Sequence, residues 1–217
     1  MNDNEVFKLI EKEILKKKYL NNPYDETYVR RLELYPEFLQ MPYWLDYREY
    51  IDIKEYLNEV KFKGKILDFG CGSGHMDILL GRDGYEICGV DLSPMAIGIC
   101  NILRDNELND IKKKVSFKLE DVTSLNVSKD MFDLVWCSHT LEHIKDHKPI
   151  FEGLKKRISK NAKMRISVPL GYAFDDPDHV HHWANEKEFR EYFERMVLVE
   201  EVIVDENKRI IVATFKL

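Results

Sequence analysis

Short apolar runs alternate with helical patterns from residue 64 onwards. The apolar runs predict strands at 65–69, 86–90, 115–119, 132–137 and 163–168. The segments between them have helical periodicity at about 75–82, 94–105 and 146–158. The second of these helices has a clear start, because Ser93 can cap it and Pro94 can occupy the first helical position. This alternation favours parallel strands joined by right-handed helical crossovers, so we predict a doubly wound α/β sheet.

Both ends of the chain depart from this alternation. The first sixty residues are helical in pattern, and "EVFKLIEKEILKKK" places Val6, Ile10 and Ile14 on one face. The last residues, "MVLVEEVIVDENKRIIVATFKL", contain two β-rich runs around "DENK", which predicts an antiparallel hairpin. We therefore expect an N-terminal helical region over 1–60 and an α/β domain over 61–217 whose mostly parallel sheet ends in that C-terminal hairpin.

Composition limits the classes of partner. The 217 residues carry a formal net charge of −6, which argues against a broad nucleic-acid surface. The four cysteines form no C-x-x-C pair and lie in or beside apolar segments, as buried thiols in a reducing compartment do. The sequence has no secretory signal pattern and no apolar run near the ~18 residues that a membrane span requires. We expect a cytoplasmic protein, monomeric or homodimeric, without membrane contact.

The stretch "LDFGCGSGH" places three glycines directly after the first predicted strand. At this position glycines allow positive φ and a close approach of the backbone to a ligand, although a mere turn is the alternative. The residue that would complete a G-x-G-x-x-G dinucleotide motif is His75, which weakens a nicotinamide-binding interpretation. Asp91 ends the second strand 21 positions after Gly70, where a carboxylate can accept hydrogen bonds from both hydroxyls of a ribose.

Two further motifs follow the third and fourth strands. Asp121, in "LEDVTSL", is placed to accept from an exocyclic adenine amine, with an ordinary loop acid or cap as the alternative. "FDLVWCSHTLEHI" is an apolar strand that runs into a histidine-containing polar loop. All of these motifs lie at carboxyl ends of strands, which is the edge where open α/β sheets bind ligands.

Together these motifs resemble the class I, Rossmann-like S-adenosylmethionine-dependent methyltransferases of the small-molecule type. The resemblance covers about residues 60–217 and implies a seven-stranded sheet with the terminal hairpin. It implies S-adenosylmethionine as the cofactor and S-adenosylhomocysteine as its product. The glycine loop would hold the methionine moiety, the acid after the second strand the ribose, and the acid after the third strand the adenine. The residues that the resemblance assigns to the cofactor are Asp68, Gly70, Cys71, Gly72, Gly74, Asp91, Leu92, Asp121, Val122, Ser138 and His139.

Methyl transfer to a hydroxyl or an amine also requires a base. His139 is the first candidate because it is nearest in sequence to the expected methyl site, Glu142 is the second, and His143 is expected to be structural. In "DDPDHVHHW" we expect His179 and His181 to contact the acceptor, with a purely loop-fixing role as the alternative.

We expect no metal. The minority alternative is a divalent ion held in the aspartate-rich loop by Asp175, Asp176, Asp178 and His179.

The N-terminal helices are expected to form a lid over the cofactor, in which Arg48 either pairs with the methionine carboxylate or packs on a solvated face.

The absence of known motifs excludes several classes of methyl acceptor. There is no N/D-P-P-Y/F/W motif for amine methylation in DNA or of glutamine amides, and no Pro-Cys nucleophile for cytosine C5. We therefore expect a small-molecule acceptor that is methylated at oxygen. A sugar, a quinone-like compound and a secondary metabolite are all compatible with the sequence. The alternative function is a non-catalytic S-adenosylmethionine-binding module that acts with a partner enzyme.

Overall fold

The computed structural model describes residues 44–121, 131–173 and 176–217. The helices are α1 (Trp44–Glu59), α2 (His75–Arg82), α3 (Pro94–Asp105), α4 (Asn109–Lys112), α5 (Lys148–Leu154) and α6 (Glu186–Phe193), with a 3-10 helix at Leu141–His143. The strands are β1 (Lys65–Phe69), β2 (Glu86–Asp91), β3 (Val115–Leu119), β4 (Phe132–Ser138), β5 (Ile158–Pro169), β6 (Leu198–Asp205) and β7 (Ile210–Lys216). The helices predicted before residue 44, the adenine contact at Val122 and the possible metal ligand Asp175 lie outside the described residues.

The strands form one seven-stranded sheet in the order β3-β2-β1-β4-β5-β7-β6. The pairs β2–β3, β1–β4 and β4–β5 are parallel, whereas β7 runs antiparallel to both β5 and β6. The predicted doubly wound sheet with a C-terminal antiparallel hairpin is confirmed.

The described residues group into two compact units. The first contains residues 44–63 and 71–120, hence α1 to α4 with β2 and β3. The second contains residues 64–70 and the described residues from 121 onwards, hence β1, β4 to β7, α5 and α6. The predicted division at residue 60 stays a prediction.

In the first unit, α1 is joined to the end of α2 through Asp83. The Tyr50 hydroxyl donates a 2.6 Å hydrogen bond to the Asp83 carboxylate, and Lys54 Nζ lies 2.8 Å from the same oxygen. Ile53 and Leu57 of α1 are buried, so this helix contributes to the core of the unit.

In the second unit, aromatic side chains of α5 and α6 pack on the sheet. The Phe193 ring lies 5.1 Å from that of Phe215 in β7 and 6.1 Å from that of Phe151 in α5, centroid to centroid. All three rings are fully or almost fully buried, so large apolar surfaces are removed from water where the helices cover the hairpin.

The largest difference from the predicted elements lies before β5. We predicted a helix to residue 158 and a strand from 163, but α5 ends at Leu154 and β5 begins at Ile158. Ile158 pairs with Phe132, and the pairing with β4 then shifts in register. The Ser159 hydroxyl donates a 2.6 Å hydrogen bond to Asp133, which helps to hold this irregular stretch on the sheet.

Among the described residues, no helix is both long enough and apolar enough to cross a membrane.

Candidate functional site

The glycine loop has the backbone conformation that its sequence predicts. Gly70, Gly72 and Gly74 have φ values of 84°, 54° and 72°. A Cβ built on Gly74 would lie 2.7 Å from the Cys100 sulfur and 2.7 Å from a Phe117 ring carbon. This glycine is therefore required both by its left-handed conformation and by the lack of space around it.

Asp91 is oriented by two backbone amides. Gly72 N–H donates to Asp91 Oδ2 at 3.0 Å, and Ser93 N–H donates to Asp91 Oδ1 at 2.8 Å. A carboxylate has about four acceptor positions, so a group of this kind can accept from more than two donors. The loop and the strand end thus present a fixed, half-buried carboxylate that can bind hydroxyl groups.

Gly89, inside β2, is a supporting residue that the sequence analysis missed. A Cβ at this position would lie 2.8 Å from the Cβ and the sulfur of Cys71. Cys71 N–H donates a 3.0 Å hydrogen bond to Val90 O, so the loop lies directly against β2. The available signal was a glycine in the middle of an apolar strand, which often marks a close backbone approach.

Three of the four cysteines, Cys88, Cys100 and Cys137, are buried, and Cys71 is half-buried. All four are free, as expected. Cys100 Sγ donates to Gly72 O at 3.2 Å, which adds a second hydrogen bond to the centre of the loop. Burial, together with the neighbouring Cys100 thiol, raises the pKa of Cys71 well above its ordinary value. A raised pKa favours the uncharged thiol at this position.

Two other predicted cofactor residues, one in each unit, are solvent-accessible. Leu92 is 36% exposed directly after Asp91. Asp121 is exposed, two residues beyond the end of β3. Both are accessible to a ligand at the ends of these parallel strands.

In the second unit, β1 and β4 contribute the buried polar residues Asp68 and Ser138. His139 follows β4 with a φ of 47°, a left-handed conformation that is uncommon for a residue with a side chain. Its N–H donates a 2.9 Å hydrogen bond to Ser167 O of β5, which holds the backbone in this conformation. Such strain is often concentrated at functional sites.

Glu142 is fully buried beside His139. Its Oε1 lies 3.3 Å from His139 Nδ1, a contact at ion-pair distance. The angles are not those of a hydrogen bond, and neither carboxylate oxygen has a hydrogen-bond partner. Burial of a carboxylate that accepts no hydrogen bond is costly, so a nearby positive charge is needed to stabilise it.

The loop after β5 is bound to the loop after β4 through the backbone of Glu142. The Glu142 carbonyl accepts hydrogen bonds from Val180 N–H at 2.8 Å and His181 N–H at 3.1 Å. His143 Nδ1 lies 3.3 Å from Asp178 O, and the rings of His143 and His179 meet edge to face with 4.7 Å between centroids. Burial and the neighbouring His143 lower the pKa of His179, whereas Glu142 acts in the opposite direction.

His147 and His181 belong to an aromatic cluster beside this junction. The His181 ring is stacked on Trp183 with 5.5 Å between centroids, and its centroid is 4.9 Å from that of His147. His147 Nε2 is 2.7 Å from Leu141 O and its Nδ1 is 2.9 Å from the Tyr192 hydroxyl. Because a carbonyl only accepts, Nε2 carries the proton and Nδ1 accepts from Tyr192. The packing of His181 favours the loop-fixing alternative for that residue.

Each of the two units brings together some of the predicted site residues. The first assembles Cys71, Gly72, Gly74, Asp91 and Leu92 at the ends of its strands. The second assembles His139, Glu142, His143, His179 and His181 where two loops meet.

The family is established by comparison with known proteins. A family model described as "Methyltransferase domain" matches residues 41–200. The chain therefore belongs to the methyltransferase domain family, which confirms the resemblance to the class I S-adenosylmethionine-dependent methyltransferases.

Individual relatives are more distant. A ubiquinone biosynthesis O-methyltransferase of Coxiella burnetii is 27% identical over 120 residues, which cover 54% of this chain and 49% of the relative. The chain thus spans about half the length of the curated relatives it matches. A solved structure of a Haloferax volcanii putative methyltransferase in complex with the Trm112 activator matches 91% of this chain and 99% of that chain, with a TM-score of 0.67 and 16% identity. The glycopeptide N-methyltransferase MtfA, complexed with S-adenosyl-L-methionine, matches 76% of this chain and 92% of that chain, with a TM-score of 0.64 and 11% identity.

Proposed function

We propose that this protein transfers a methyl group from S-adenosylmethionine to an oxygen of a small-molecule acceptor. The observation that carries the proposal is the Asp91 carboxylate, which two backbone amides orient beside a glycine loop with positive φ. A carboxylate at the end of the second strand is suited to the paired hydroxyls of a ribose. Family membership over residues 41–200 supports the same cofactor.

We propose the remaining cofactor contacts from the charge, burial and exposure of the residues. The backbone of the glycine loop, Gly70, Gly72 and Gly74, would hold the methionine moiety, and Asp68 provides a buried carboxylate near the end of β1. Exposed Leu92 would cover a face of the adenine, with Asp121 accepting from its amine. Ser138 and His139, where β4 ends, would lie near the sulfonium.

The acceptor oxygen attacks the methyl carbon in line with the C–S bond, and S-adenosylhomocysteine is the leaving group. The protein therefore supplies alignment, exclusion of water and removal of the acceptor's proton. We assign His139 as the base that accepts the proton of the acceptor hydroxyl. Glu142 is too deeply buried to reach an acceptor directly, but it lies 3.3 Å from His139 Nδ1. Its negative charge would stabilise the imidazolium that forms as the acceptor loses its proton.

The acceptor is proposed to be a sugar, a quinone-like compound or a secondary metabolite. The curated relative from Coxiella burnetii is named as an O-methyltransferase, which favours oxygen. The net charge of −6 argues against an extended positive surface for nucleic acid. His179, in the loop after β5, is the proposed acceptor contact.

The cofactor is tested by calorimetric titration with S-adenosylmethionine, S-adenosylhomocysteine and NAD. Saturable binding of the first two without NAD binding supports the proposal, and binding of NAD alone overturns it. Binding of S-adenosylhomocysteine without turnover on any acceptor would instead support a non-catalytic S-adenosylmethionine-binding module.

A further inference from the structure

We infer that Glu142, His143 and His179 form a binding site for a divalent transition-metal ion. Each of these residues offers one ligand atom, and the three atoms all lie within 4.8 Å of one another. They come from the 3-10 helix after β4 and from the loop after β5, which the Glu142 carbonyl joins through Val180 and His181. The same backbone contacts that dock the two loops therefore bring the three side chains together.

The Glu142 carboxylate is buried in a way that favours binding of a cation. It is 0% exposed, and neither carboxylate oxygen accepts a hydrogen bond. His139 Nδ1 lies 3.3 Å from Oε1 without forming a hydrogen bond, so the carboxylate keeps acceptor positions at which a cation can bind. A metal ion bound to a carboxylate offsets the desolvation that makes such a group costly to bury.

The histidines have the arrangement expected of ligands. His143 Nδ1 is 3.3 Å from the Asp178 carbonyl, which can only accept, so Nδ1 carries the proton and the lone pair is on Nε2. A ligating histidine usually donates its other ring N–H to a carbonyl or carboxylate in this way. His179 Nδ1 is buried without a hydrogen-bond partner, so a second imidazole nitrogen is available within the cluster.

The donor set selects the class of ion. Two imidazoles and one carboxylate suit Zn²⁺ and its first-row neighbours, whereas Mg²⁺ and Ca²⁺ prefer oxygen ligands. Ligands at about 2.0–2.2 Å from Zn²⁺ lie roughly 3–3.5 Å apart in a tetrahedral site. A contraction of the present cluster by about an ångström, within reach of side-chain rotation, would complete three positions and leave a fourth for a water or another oxygen ligand.

This site differs from the metal alternative in the aspartate-rich loop. Asp176 Oδ1 accepts the Asp178 N–H at 2.9 Å, a contact that forms a turn. Asp178 contributes its carbonyl to His143 and not its carboxylate. These two aspartates therefore shape the loop that carries His179.

The role of the metal ion in catalysis rests on the proposed function. An acceptor hydroxyl bound at the open position would lose its proton more readily, because a metal ion lowers the pKa of a bound hydroxyl or water. The proton would pass to His139, the base of the proposed function.

The test measures metal binding directly, without any acceptor. Chain without a polyhistidine tag is stripped with a chelator and titrated with Co²⁺, followed by ligand-field absorption, and with Zn²⁺ in competition with a chromophoric chelator. We expect one ion per chain. Glu142→Gln and His179→Ala should each weaken binding by at least about 100-fold, because loss of an outer-shell partner alone costs about 10–100-fold.

The control is His182→Ala, a histidine of the same loop outside the cluster, which should bind the ions as the parent does. His143→Ala replaces Glu142→Gln if that variant does not fold, as judged by circular dichroism. Absence of stoichiometric binding, or unchanged affinity in the cluster variants, would overturn the site. A loss with Asp176→Asn or Asp178→Asn but not with His179→Ala would assign the ion to the aspartate loop and also overturn it. S-adenosylhomocysteine affinity, measured in parallel, tests the proposed function separately.

Discussion

The backbone N–H of Gly72 donates a 3.0 Å hydrogen bond to Oδ2 of Asp91, 19 residues further along the chain. This contact joins the glycine loop to the acid that ends β2. One carboxylate therefore holds the loop at the strand end where the ribose is proposed to bind.

Replacement of Asp91 should weaken cofactor binding. Asp91→Ala removes the acceptor of both ribose hydroxyls and the partner of Gly72 N–H, and we expect a loss of roughly 2–4 kcal/mol in S-adenosylhomocysteine binding. Asp91→Asn keeps one acceptor oxygen and should have a smaller effect. Asp110→Ala, which removes an exposed acid of the same unit, is the matched control for calorimetry. An unchanged affinity in Asp91→Ala would place the ribose elsewhere.

The loop itself can be tested through stability. Gly74→Ala should lower the free energy of unfolding by about 2–4 kcal/mol, since its Cβ would meet Cys100 and Phe117 and the residue would be held at positive φ. Gly84→Ala is the control because Gly84 also has positive φ, at 99°, but has no atom within 4 Å of an added Cβ. Urea unfolding should show the larger loss at Gly74. Equal losses would show that backbone strain alone accounts for the effect.

Local signals predicted most of the sheet and the loop. The bounds of β1 and β3 and of the helices α2 and α3 agree with the patterns, because each of these elements has a clear apolar period and a clear start. The start of α6 also has a local signal, since the Asn185 side chain accepts from Glu188 N–H at 3.0 Å. The early start of β5 was missed because it depends on the contact between Ser159 and Asp133, which are distant in sequence.

The histidine cluster was only partly predictable. The sequence indicated two histidine-rich loops but not which members meet. The meeting of His143 with His179 depends on the Glu142 carbonyl, a backbone acceptor that no side-chain pattern reveals. Gly89 was missed for a similar reason, since its role is to leave room for Cys71.

Acid should destabilise the fold through His147. Burial lowers the pKa of this imidazole to about 4, with His181 acting in the same direction and Leu141 O, Asp146 and Glu142 opposing it. Because the folded pKa lies below the ordinary value of 6.5, the unfolded chain binds the proton first. The stabilisation is therefore complete above about pH 6.5 and is lost as the pH falls to about 4, at a cost approaching about 3 kcal/mol.

The pH effect is measured by urea unfolding between these two values. His147→Gln retains a donor for Leu141 O and an acceptor for the Tyr192 hydroxyl but does not titrate, so its stability should depend less steeply on pH. His182→Gln, whose ring is stacked on exposed Tyr172, should keep the slope of the parent. A parent-like slope in His147→Gln would assign the acid sensitivity to other groups.

The assignment of the base is tested by turnover. His139→Ala should slow methyl transfer by roughly 10²–10⁴-fold and leave S-adenosylhomocysteine affinity nearly unchanged, because the base acts on the acceptor. His182→Ala should retain the parent rate. A comparable loss only at His179 or His181 would move the base to the loop after β5. Little loss at any of the three would mean that alignment alone carries the reaction.

The most direct test of the central claim is transfer of a labelled methyl group. The protein is incubated with S-adenosylmethionine labelled in its methyl group and with fractionated pools of low-molecular-mass metabolites, and the label is followed into products. We predict label in at least one small molecule, bound through oxygen, with equimolar S-adenosylhomocysteine and with loss of transfer in Asp91→Ala. Failure to label any pool by a protein that binds S-adenosylhomocysteine would contradict the assignment of catalysis.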